Sequence, residues 1–216
     1  MKKGGTEIIF ILDMSGSMEG LEKDTIGGFN ALIAKQKRET GEAKVTTVLF
    51  NDQYELLHDR IDLSGVAPLT DKEYVVGGST ALLDAIGSTI QKLVNVQKRT
   101  SEEQQAEKVM FVITTDGQEN ASSEYDYRKI KTMISRQKEK YGWEFIFLGA
   151  NIDAVGTAKD FGISEDRAVN YHADEKGTQL NYQVLNETVS SFRQGKKLDR
   201  SWKNAIDADF QERSRK

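Results

Sequence analysis

Short apolar runs alternate with segments of helical periodicity along most of this chain. Glu7-Ile8-Ile9-Phe10-Ile11-Leu12 and Val109-Met110-Phe111-Val112-Ile113 are continuous and rich in β-branched and aromatic residues, as expected of strands buried on both faces. Residues 143–148 form a third such run, and residues 168–172 read as a short last strand. Residues 44–50 alternate and are followed by the polar turn Asn51-Asp52 and a second run over 54–61, which predicts a hairpin. Helical spacing appears at Ile26, Phe29, Leu32 and Ile33, where Gly27 and Gly28 point to close packing on the sheet. It returns at Leu82, Leu83, Ile86, Ile90, Leu93 and Val94 within residues 80–97. A helix through Tyr127, Ile130, Met133 and Ile134 has Ser122 or Ser123 as its candidate cap. Residues 153–161 read as a short helix closed by Gly162, and residues 178–192 as a long one.

Strands alternating with helices imply an α/β fold, a doubly wound and mostly parallel sheet with helices on both faces. Ligands of such sheets sit beyond the carboxyl ends of the strands, where strand order reverses. We expect one domain over residues 1–192 and a charged helical extension over 193–216. Trp202, Ile206 and Phe210 recur in that extension at helical spacing, as in a helix docked on the body or on a partner.

Chemistry concentrates at three strand or helix ends. Asp13-Met14-Ser15-Gly16-Ser17 follows the first strand, Gly77-Gly78-Ser79-Thr80 heads a helix, and Thr114-Thr115-Asp116-Gly117 ends the strand at 109–114. A carboxylate and two hydroxyls around a glycine deliver oxygen ligands to one spot, which suits a hard cation. Singly, each of these residues is an ordinary cap or turn former.

Jointly, the three segments resemble the metal-ion-dependent adhesion site of von Willebrand factor A domains, over about residues 6–175. The positions that match are Asp13, Ser15, Ser17, Thr80 and Asp116. The resemblance implies that the hairpin supplies one antiparallel edge strand, and that the strands ending at Asp13 and Thr114 are neighbours. It also implies Mg²⁺, with Mn²⁺ as the alternative ion, held directly by Ser15 and Ser17. Thr80 joins them directly in the ligand-bound state, and Asp13 and Asp116 act through water. A partner protein's Asp or Glu carboxylate would fill the vacant position. Solitary intracellular members of this kind often work beside AAA+ ATPases or in stress-response assemblies.

Composition narrows this further. With 38% hydrophobic and 30% charged residues the 216-residue chain reads as an ordinary folded domain. A net charge of −4 argues against a nucleic-acid partner, and no Lys/Arg stripe with interleaved aromatics stands out. The absence of cysteine removes disulfides, thiolate metal sites and a cysteine nucleophile. Lys2 and Lys3 precede an apolar run too short for a signal peptide or a membrane span, so the expectation is a cytoplasmic protein of a bacterial or phage setting. Met14 and Met18 read as packing or partner-facing surface, and His58 and His172 as structural or solvated.

An enzyme is the competing reading, namely a Mg²⁺-dependent phosphatase with Asp13 as nucleophile. That chemistry needs a second carboxylate two residues on as general acid, and Ser15 stands there. No GxSxG, P-loop or GxGxxG is present. A non-enzymatic binding domain is therefore expected; Asp84, one turn into the Thr80 helix, is a candidate outer-shell group, but a surface carboxylate is the favoured reading.

Overall fold

We describe residues 5–215 of the chain in a computed structural model; Lys2 and Lys3 lie outside the described residues. Six strands form one sheet: β1 (Thr6–Asp13), β2 (Ala43–Phe50), β3 (Tyr54–Asp62), β4 (Lys108–Thr115), β5 (Glu144–Ala150) and β6 (Ala168–Tyr171). Their order is β3-β2-β1-β4-β5-β6, and every pairing is parallel except β2 with β3. This is the doubly wound sheet with one antiparallel edge strand that the apolar pattern and the resemblance predict. Strand order reverses between β1 and β4, which pair in register so that Leu12 lies opposite Thr114.

Helices α1 (Glu22–Gln36), α2 (Leu82–Arg99), α3 (Tyr127–Tyr141), α4 (Ala154–Asp160), α5 (Glu175–Arg193) and α6 (Asn204–Arg213) complete the fold. Alternation along β1 sends Ile8, Phe10 and Leu12 to a layer shared with Phe29 of α1 and Val189 of α5. Ile9 and Ile11 face the other layer, with Ile86 and Ile90 of α2, Ile130 and Ile134 of α3, and Ala158 of α4. Each large aliphatic side chain so buried contributes about 1.5–3 kcal/mol of transfer free energy. No described helix is long and apolar enough to cross a membrane.

Three local readings change. Gly28 packs against a helix rather than the sheet: a Cβ there would lie 2.1 Å from the Tyr182 ring of α5. The cap of α3 is Asp126, whose carboxylate accepts from Lys129 N–H at 2.8 Å, not Ser122 or Ser123. Helix α5 starts earlier than its apolar period suggests, because Asp174 caps it through Gly177 N–H at 2.8 Å.

The C-terminal stripe docks on the body. Ile206 is 1% exposed, the Trp202 indole N–H donates to Asp166 O at 2.8 Å, and Phe210 stacks on His172 with centroids 4.8 Å apart. Lys203, also buried, donates to Ala168 O of β6 at 2.7 Å. At the opposite edge, the β2–β3 ladder shifts register twice, and Arg60 takes a left-handed backbone with φ 50°. That irregularity accompanies an ion pair between the Arg60 guanidinium and Glu7 of β1.

Candidate metal centre

The carboxyl ends of β1 and β4 lie side by side at the reversal of strand order, so Asp13 and Asp116 share one end of the sheet. Asp13 is 1% exposed and both its oxygens are engaged. Oδ1 accepts Ser15 N–H at 2.7 Å and Oδ2 accepts the Thr115 hydroxyl at 2.5 Å. Its carbonyl accepts the hydroxyl of buried Tyr74. Ser15, equally buried, places Oγ 3.1 Å from Ser17 Oγ, and Ser17 donates to Asp116 Oδ1 at 2.5 Å. Ser17 is the member of this group that opens to solvent.

Backbone bonds zip the second segment onto the first. Gly16 N–H donates to Gly78 O at 3.1 Å and Gly77 N–H to Met14 O at 2.9 Å. Gly78 has φ +78°, a left-handed conformation that favours glycine, and it packs under the carboxylate of exposed Asp52. Asn51 holds the same loop from the hairpin turn, its Nδ2 donating to Gly77 O at 2.9 Å while its own carbonyl accepts Ala81 N–H at 2.8 Å.

The third segment pins Thr80 in both directions. Thr80 N–H donates to Asn120 Oδ1 at 2.9 Å, and Asn120 N–H donates to Thr80 O at 3.0 Å. The result is a convergence of hydroxyls. A point at the Cβ position of residue 117 lies 2.9 Å from Ser17 Oγ, 3.1 Å from Thr80 Oγ1 and 3.8 Å from Ser15 Oγ. The structure thus brings together Asp13, Ser15, Ser17, Thr80 and Asp116 from three separate loops.

The electrostatics favour a cation. Burial pushes the Asp13 carboxyl above its ordinary range, opposed by the bonds from Ser15 and Thr115 and reinforced by the charge of Asp116. Burial raises Asp116 as well, opposed by the Ser17 hydroxyl. Beneath the loops, Met14 and Met18 are buried, with Tyr74 and Tyr171 in the same layer. Burial raises both tyrosine hydroxyls well above normal, and the charge of Asp13 adds to it. Negative charge held where water is scarce is relieved by a bound cation. Among the described residues, no group of three or more His, Cys, Asp or Glu side chains is arranged to hold an ion. The donor set here is two carboxylates and three hydroxyls, all oxygen. It fits a hard cation and not one that wants thiolate or imidazole.

Of the supporting residues, Asp84 alone was a candidate from the sequence; Glu119, Asn120 and Ser122 were not readable from spacing. Glu119 Oε2 accepts Leu83 N–H at 2.9 Å and Ser122 Oγ accepts Asp84 N–H at 3.0 Å, satisfying the first turn of α2. Asp84 in turn accepts the N–H groups of Ser123, Glu124 and Tyr125 at 2.8–3.0 Å, so it anchors the loop after Asp116. His58 and His172 serve elsewhere: His58 stacks on Phe29 and meets Thr47 Oγ1 at 3.0 Å, and His172 faces Phe210.

No protein-family model matches the chain, and no curated protein does. Solved structures do match. Proximal thread matrix protein 1 from the mussel byssus, in its structure with a zinc-occupied MIDAS motif, is 15% identical with a TM-score of 0.58, over 87% of this chain and 46% of that one. The ArnB paralog VWA2 from Sulfolobus acidocaldarius is 18% identical with a TM-score of 0.53, over 85% and 45%. A von Willebrand factor type A structure from Catenulispora acidiphila is 13% identical with a TM-score of 0.54, over 85% and 42%. The chain spans less than half the length of each of these proteins. At such identities the likeness is one of fold, and the fold is that of von Willebrand factor A domains.

Proposed function

We propose that this protein is a divalent-cation-dependent protein-binding module. Asp13, Ser15, Ser17, Thr80 and Asp116 would hold Mg²⁺, and an Asp or Glu carboxylate of a partner protein would complete the coordination. One observation carries this reading: hydroxyls from two loops meet beside Gly117 at the end of β4, two of them on residues that are almost fully buried. Packing alone does not call for such a cluster, since burying a hydroxyl costs desolvation that its hydrogen bonds to the neighbouring hydroxyl or carboxylate only offset. Bound there, the ion supplies Lewis acidity toward an anionic oxygen. Asp13 and Thr115 fix the loop that carries Ser15, Ser17 leaves the site open to an incoming group, and Asn120 holds Thr80 at its rim. The mussel protein with zinc in its corresponding motif supports a divalent ion in general.

A binding role rather than catalysis is supported by the state of Asp13. A nucleophile needs direct contact with substrate, whereas Asp13 is 1% exposed and each oxygen already accepts one hydrogen bond, an arrangement that suits contact with an ion through water. An AAA+ ATPase or a stress-response assembly in a bacterial or phage cytoplasm is proposed as partner on the resemblance alone.

Calorimetric titration of Mg²⁺ and Mn²⁺ into metal-stripped protein, with and without acetate, tests the reading. Saturable one-to-one binding that disappears in the Ser15→Ala/Ser17→Ala variant is expected. Failure to bind even with acetate present overturns it, and hydrolysis of a phosphate ester that Asp13→Asn abolishes overturns the non-enzymatic part. The Thr80 clamp adds a graded prediction. Asn120→Ala is expected to weaken cation affinity by about tenfold or more, as loss of a group that orients a ligand does. Asn120→Asp keeps the acceptor for Thr80 N–H and is expected to lose less in the same titration.

A further inference from the structure

Helix α3 carries six basic side chains and one acidic one, Glu139, a net +5 within a chain of net charge −4. The rest of the molecule is therefore at −9. The negative chain average conceals this local concentration, which lacks the interleaved aromatics of a nucleic-acid stripe. Ile130, Ile134 and Gln137 bury one side of α3 and fix its orientation. Arg128, Lys131, Arg136 and Lys140 are exposed, and among the described residues none of them makes an ion pair. The other two cations are committed locally, Lys129 to Glu124 O at 3.0 Å and Lys138 to Gly162 O at 3.2 Å. Thr132 and Ser135 sit among Arg128, Lys131, Arg136 and Lys140 along a shallow trough of about 620 Å³, which Glu139 also lines, leaving the trough at net +3; Lys140 Nζ lies 5.3 Å from the centroid of the Tyr141 ring. Like charges at Arg136 and Lys140, one turn apart, oppose the helix rather than support it.

We propose that the outward face of α3 is a docking strip for an acidic segment of a protein partner, independent of the cation site. Twelve residues of helix separate Arg128 from Lys140, about 18 Å, which an extended peptide of about six residues spans. The charge distribution favours a short acidic segment over a nucleic acid. A long polyanion reaches past the strip onto a molecule whose remainder carries a net −9, while screening confines a short segment to the cations within about 8 Å.

The test is fluorescence anisotropy with a labelled peptide of twelve Asp and Glu residues, in EDTA, on the full chain. Micromolar or tighter binding that weakens between 50 and 200 mM salt is expected, by roughly the loss usual for exposed ion pairs. Lys131→Glu/Arg136→Glu is expected to lower affinity by about tenfold or more, and Lys131→Gln/Arg136→Gln by less, with unchanged melting. The Ser15→Ala/Ser17→Ala variant is expected to bind the peptide as the native chain does. Absence of binding, binding indifferent to both α3 variants, or loss only in the serine variant overturns the strip; the last leaves the cation site standing. An oligonucleotide that binds more tightly than the peptide overturns the choice of partner.

Discussion

Replacing Gly117 by alanine is expected to abolish divalent-cation binding while the chain still folds. The new methyl would stand 2.9 Å from Ser17 Oγ and 3.1 Å from Thr80 Oγ1, among the hydroxyls that the proposed ion needs. Nothing else crowds that position, because the three nearest atoms are all side-chain oxygens of the cluster. Removing an outer orienting group costs a metal site about 10–100-fold, so occupying the ligand cluster itself should cost more than about 100-fold. Titration of Mg²⁺ into the variant, beside a thermal melt of the metal-stripped protein, separates the two effects. Native-like cation affinity in Gly117→Ala places the ion elsewhere and removes the basis of the proposed function.

The second large effect concerns stability. Glu7 is 1% exposed within β1; its Oε1 is held by Arg60, and its Oε2 has no partner. Removing one member of a buried ion pair leaves an uncompensated charge and costs about 3–5 kcal/mol. Arg60→Ala is expected near the lower end, because the arginine side chain remains 22% exposed. For a domain of this size that lowers the melting temperature by roughly 6–12 °C. Glu7→Gln added to Arg60→Ala is expected to restore much of the loss.

The pH dependence has a definite sign. Burial pushes the Glu7 carboxyl above its ordinary value and Arg60 pulls it back. Its contribution is thus fully present below the unfolded carboxylate range and is lost as pH rises through the folded value. Without Arg60 that folded value climbs further. The deficit of Arg60→Ala relative to the native chain is therefore expected to grow from acid to neutral pH in denaturant melts. A deficit that is flat or larger in acid contradicts a buried charge as its cause.

The strands were legible because burial on both faces demands uninterrupted apolar runs, and β1, β4 and β5 have them. The candidate ligands were legible because a doubly wound sheet gathers the ends of its central strands, so Asp13 and Asp116 had to meet once β1 and β4 were neighbours. What escaped was whatever depends on a partner far along the chain. Asn120 faces Thr80 forty residues away and leaves no local period; Asp84 was named as a candidate, but the amides it serves, as distant along the chain, were not. The cap of α3 was ambiguous because Ser122, Ser123 and Asp126 are all good caps, and only the backbone decides between them. Periodicity marked Gly28 as a contact position but not its partner, the ring of Tyr182. The α3 cations were visible in principle at helical spacing, hidden by a chain-wide balance of the opposite sign.

The two outer strands carry a last consequence. A sheet edge with free amides and carbonyls invites another chain to add itself as a further strand, the first step toward fibrils. On β3 the double register shift and the charged run of Glu55, Asp59, Arg60 and Asp62 break that template. On β6 the guard is the C-terminal segment, with Lys203 seated on the Ala168 carbonyl and Ile206 buried alongside. The last helix therefore works as a seam binding: it keeps an otherwise open β6 edge from unravelling into assembly with its own kind.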